Sequence, residues 1–117
     1  MKNTHPLSST VLAEFIGTLA LVFCGCGAVV VATMTEGTVT HTGISLVFGF
    51  IVMAMIYSIG NISGAHINPA VTLGFFFARR LKISDIIPYL SAQFSGGIAG
   101  ALLLRSEERR VGKECAT

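Results

Sequence analysis

The sequence holds 117 residues, of which 52% are hydrophobic and only 12% charged, with a mean hydropathy of +0.74, a balance that excludes an ordinary soluble domain and points to a membrane protein. Although the net charge is +2, Lys2, Arg79, Arg80 and Lys82 form no aromatic-interleaved basic surface, and nucleic acid is excluded as a partner. Residues 105–117 hold 4 of the 8 Lys/Arg and 3 of the 6 Asp/Glu, so the rest of the chain is almost uncharged.

Residues 15–34 carry no formal charge, and 20 residues at about 1.5 Å rise match a hydrocarbon core of roughly 30 Å. A first span is expected over about 9–34. Lys2 ahead of it invites a signal-peptide reading, but the apolar run is too long for one, and Glu14 near its start marks a retained span. Cys24 and Cys26 point to different faces of that helix and Cys115 lies in the tail, so the cysteines are expected to be small buried hydrophobes without metal or disulfide use.

Residues 37–78 hold no Lys, Arg, Asp or Glu over 42 positions, twice what one crossing needs, and are interrupted by GNISGAHINP. A span over about 43–60 followed by a re-entrant half-helix over about 68–78 accounts for that length. A third span is expected over about 85–104, with Ser84 and Asp85 as N-cap candidates and Pro88 in the first turn. The positive-inside rule agrees: Lys2 and the cluster Arg79, Arg80 and Lys82 share one side only if two full crossings and a segment that dips and returns lie between them. That side is expected to be cytoplasmic.

Irregular backbone at membrane depth survives only where protein or a water-filled cavity satisfies it, so residues 63–67 predict a pore or binding site. Asn68-Pro69-Ala70 reads as a helix start, with Asn at the N-cap and Pro at the first helical position. The Asn oxygen accepts from the backbone N–H of Val71 or its neighbour, which leaves the NH₂ group as a fixed donor in the positive field of a helix N-terminus. Such a site suits a neutral molecule with an acceptor oxygen and repels cations.

SGAHINPAVT resembles the signature of the aquaporin (major intrinsic protein) family, AEFIGT at 13–18 its first helix, and AQFSGGIAG at 92–100 its third. The resemblance covers residues 11–104. It implies an all-α membrane protein, a six-helix bundle of two inverted halves whose half-helices meet at mid-membrane, with this chain (1–104) as the N-terminal half. It further implies that Asn68 donates to the passing molecule, that the carbonyls of Gly64, Ala65, His66 and Ile67 line the vestibule, and that Phe48 belongs to the narrow filter, where phenylalanine resembles water-selective members. Glu14 would accept hydrogen bonds from the loop, His66 would shape the pore mouth, and Gln93 would brace the loop. Gly96 and Gly100 form a small-xxx-small packing face.

The expected function is passive conduction of water, with a glycerol or small neutral solute facilitator as the alternative within the class. A non-conducting membrane fragment that associates with other channel subunits is the alternative outside it. No enzyme activity, cofactor or metal is expected. The partners implied are membrane lipid and, for the complete protein, a homotetramer in a plasma or inner membrane. RSEERRVGKEC resembles the translation of a sequencing-adapter read-through, so residues 105–117 are expected to be non-native.

Overall fold

The computed structural model describes residues 4–116. Lys2, used above to orient the chain, lies outside them. The described residues form four helices: α1 (Leu7–Met34), α2 (His41–Ser63), α3 (Pro69–Phe77) and α4 (Ile83–Cys115). Three of them, α1, α2 and α4, are long and apolar enough to cross a membrane. With 9 residues and a length of about 14 Å, α3 reaches only half-way through a core of roughly 30 Å.

Inter-helix contacts fix the directions. Along α1 and α4 the contacting positions rise together, from Glu14 with Gln93, through Phe15 with Gly96 and Leu19 with Gly100, to Gly27 with Leu104. These helices are parallel and begin at the same end. Along α2 the partners of α1 fall instead, with Thr10 against Ile62, Gly17 against Ile59 and Gly25 against Phe48, so α2 runs antiparallel. Ile67 touches Gly17, ten residues and about 15 Å along α1, which sets the loop before α3 well in from the end where α1 begins. From there α3 leads back to the end where α4 starts. Arg79, Arg80 and Lys82 therefore lie at the end where α1 begins, which is the two-crossing geometry that the charge pattern requires.

The α1–α4 seam depends on missing side chains. A Cβ at Gly96 would stand 2.3 Å from the backbone oxygen of Phe15, and one at Gly100 would stand 2.7 Å from that of Leu19. No rotamer change relieves a clash with backbone, so the close approach needs glycine at both positions. Outside the seams the apolar side chains face outward, with Phe50 at 59% and Tyr57 at 84% exposure along α2, a surface suited to lipid or to further helices.

Three expectations are corrected. The last helix begins at Ile83, with Lys82 as an N-cap that makes no side-chain bond, so Ser84 and Asp85 are not caps and Pro88 is the sixth helical residue. At the sixth position Pro88 lacks the N–H that would reach the Ser84 carbonyl, and Asp85 in the first turn suits the helix dipole without capping it. The same helix runs on to Cys115 rather than ending at 104, because RSEERRV offers strong helix formers and no breaker; its exposed extension carries an Arg110–Glu107 pair at 3.7 Å. Finally, the cysteines are not buried: Cys24 is half-buried, while Cys26 and Cys115 are exposed.

Candidate functional site: the loop between α2 and α3

The last turn of α2 leaves carbonyls without helical partners, and neighbouring side chains take them up. Thr10 of α1 donates to the Ile62 oxygen at 3.4 Å, and the Tyr89 hydroxyl of α4 donates to that of Ser63. Gly64 then turns the chain with φ +89°, its N–H returning to the Gly60 oxygen at 2.9 Å. The left-handed region recurs at Ala65 (φ 49°) and Ile67 (φ 42°), and a β-branched residue is seldom found there. Something must hold that backbone in place.

Glu14 does so. Its Oε1 accepts from the His66 N–H at 2.9 Å, and its Oε2 accepts from the Ile67 N–H at 2.7 Å and from Gln93 Nε2 at 2.9 Å. The carboxylate is fully buried, and successive backbone N–H groups converging on one anion form a nest. In a planar trans peptide the C=O points opposite to the N–H of the same unit. The carbonyls of Ala65 and His66 are thereby turned away from α1. With those of Gly64 and Ile67, they accept no hydrogen bond from another described residue.

Asn68 caps α3 from the extended region (φ −156°), its Oδ1 accepting from the Ala70 N–H at 2.8 Å, with Pro69 at the first helical position. Of the two backbone partners the sequence allows, Ala70 is the one used. Because Oδ1 is committed, the NH₂ group is left as the free end of an exposed residue. It has no acceptor among the described residues.

His66 contributes backbone to the loop, whereas its ring is folded inward. The ring stacks on Phe75 at 4.5 Å, leans on Tyr89 at 4.8 Å, and places Nδ1 3.1 Å from Thr72 Oγ1. The ring thus belongs to the packing of α3 against α4. Gln93 Nε2 joins Thr72 Oγ1 at 2.8 Å as well as Glu14, so one amide links α1, α3 and α4. Phe48 lies apart from this cluster: its ring rests on Gly25, eight residues and about 12 Å along α1 from the level of Gly17.

Three residues of the cluster were not singled out from the sequence: Thr10, Thr72 and Tyr89. A readable signal did exist for all three. Thr10 stands one turn before Glu14, Tyr89 one turn before Gln93, and Thr72 one turn after Asn68, so each polar pair shares a helix face inside an apolar run. Ser63, the first residue of the segment that the sequence marked, accepts from the Ala65 N–H at 3.1 Å through its Oγ.

Three helices long and apolar enough to cross a membrane, with a short half-helix packed against the last of them, define an integral membrane protein. A family model described as "Major intrinsic protein" matches residues 1–116, and the chain belongs to that family. It is 50% identical over 99 residues to "Putative aquaporin NIP4-1" of Arabidopsis thaliana, a match covering 85% of this chain and 35% of that relative. It is 46% identical over 109 residues to "Aquaporin NIP1-3" of Oryza sativa subsp. japonica, covering 89% of this chain and 38% of the relative. With "Aquaporin Z" of Photorhabdus laumondii it shares 47% identity over 93 residues, 79% of this chain and 40% of the relative. The chain therefore spans well under half the length of these curated relatives.

Proposed function

We propose that this chain forms the first half of a membrane channel that passes water. The observation that carries this reading is the Asn68 amide, which is fixed by its bond to the Ala70 N–H and offers its NH₂ group outward from a helix N-terminus. A fixed donor there binds a water oxygen. The outward-turned carbonyls of the loop supply acceptors for the water's hydrogens on the approach. When a second, inverted half places another Asn opposite, the central water has both oxygen lone pairs engaged and both hydrogens directed outward, which interrupts a proton wire. The names of the relatives, all aquaporins, support water as the solute.

On this reading Phe48 narrows the pore as one member of the filter, and the end bearing Arg79, Arg80 and Lys82 is cytoplasmic, in a plasma or inner membrane. The complete channel is a homotetramer. A small-polyol facilitator is the competing solute assignment, and swelling under water and glycerol gradients separates the two. Asn68→Ala in the complete channel is expected to lower water permeability severalfold, the scale of one lost hydrogen bond of about 1 kcal/mol, or to loosen ion and proton exclusion. Normal flux with unaltered exclusion would remove Asn68 from the pore.

Residues 105–117 are proposed to be non-native. Residues 105–116 are exposed throughout. Sequencing the gene through codons 104–117 tests this: adapter sequence is expected, and native codons running on into a second half would refute it.

A further inference from the structure

Gly25 takes no part in the loop cluster. It lies buried in α1 under the ring of Phe48, and an added Cβ would stand 2.3 Å from Cε1, 2.5 Å from Cζ and 2.7 Å from Cδ1 of that ring. All three atoms belong to one ring edge, so that edge occupies the volume where any other residue would carry its side chain. Phe48 is otherwise 36% exposed, its opposite edge facing away from α1. Carbon atoms in ordinary contact stand about 3.5–4.0 Å apart, so a methyl group at position 25 forces the ring back by more than about 1 Å. With α1 behind it, the ring can move only toward its open side.

We infer that Gly25 is a specificity-positioning residue: the absence of a side chain there seats Phe48 back against α1 and so sets the width of the constriction. The inference rests on the reading of Phe48 as a pore residue. A phenyl ring pivots on two torsions, and its position across a narrow passage is decided by what lies behind it. Glycine at 25 gives the widest passage compatible with phenylalanine at 48. Alanine at 25 narrows it, and larger residues close it further. Solute preference is then encoded by the pair Gly25 and Phe48 together, one on α1 and the other on α2.

The test uses four forms of the complete channel in proteoliposomes at matched insertion: wild type, Gly25→Ala, Phe48→Ala and the double variant. Water and glycerol permeabilities are read by stopped-flow light scattering. Gly25→Ala is expected to lower water permeability by at least about twofold and glycerol permeability by more, as narrowing demands. Phe48→Ala is expected to raise glycerol permeability, and the double variant to match Phe48→Ala for both solutes, because no ring remains to be displaced. If Gly25→Ala behaves as wild type, or has the same effect with and without the ring, Gly25 acts through helix packing and the inference is overturned. If Phe48→Ala changes neither permeability, the filter reading itself fails and takes the inference with it. If Gly25→Ala alone does not assemble, assembly of the double variant supports the ring clash, and failure of both overturns it.

Discussion

Glu14→Leu in the complete channel is expected to abolish assembly rather than to change solute preference. Leucine fills much of the space but accepts nothing, so the N–H groups of His66 and Ile67 and one Nε2 hydrogen of Gln93 lose their partner at a buried site. Each buried donor left unpaired costs about 1–3 kcal/mol. The loop also loses what holds Ala65 and Ile67 in the left-handed region, a conformation that disfavours both residue types. Together these terms rival the whole stability of a typical domain, about 5–15 kcal/mol. Glu14→Gln should fall between. Its carbonyl can take the Oε2 position and keep the bonds from Ile67 and Gln93, while its NH₂ group then faces the His66 N–H, donor against donor. Size-exclusion profiles and thermal stability in detergent should rank wild type above Glu14→Gln, and Glu14→Gln above Glu14→Leu. A fully stable Glu14→Leu channel with altered solute preference would contradict the brace.

The spans and the half-helix were legible because a membrane imposes its thickness on the sequence: uncharged runs of about 20 residues, and one run too long for a single crossing and too short for a helix on each side of the interruption. Asn68 was legible because an N-cap followed by Pro is a local signal. What was not legible depends on how one helix faces another. Nothing in the string places Phe48 against Gly25, since that contact follows from the antiparallel register of α2 on α1. Thr72 carried a signal on its own helix, but its role as the junction between Gln93 and His66 appears only once α3 is laid against α4. The start of α4 was misplaced for the opposite reason. Ser84 and Asp85 are good caps by type, but the helix begins two residues before the expected 85, at Ile83, where the chain leaves the turn after α3. The inward fold of the His66 ring likewise follows from Phe75 and Tyr89, which arrive from two different helices.

The second large effect concerns the chain by itself. A pore of this kind needs two half-helices that enter from opposite faces, and these residues supply one, α3. Two copies cannot supply an inverted second half, because Arg79, Arg80 and Lys82 bias every copy toward the same orientation. A parallel pair sets both Asn68 amides at the same depth and facing the same way, with no inverted partner. The carbonyls turned away from α1 also lack the water-filled wall that would satisfy them, at several kcal/mol for each group left in hydrocarbon. The direct measurement is stopped-flow light scattering on proteoliposomes holding the purified 117-residue chain at verified insertion. The account predicts shrinkage at the rate of empty liposomes, with the high activation energy of bare lipid. Permeability clearly above that background, with a low activation energy and sensitivity to Asn68→Ala, would contradict the half-channel reading.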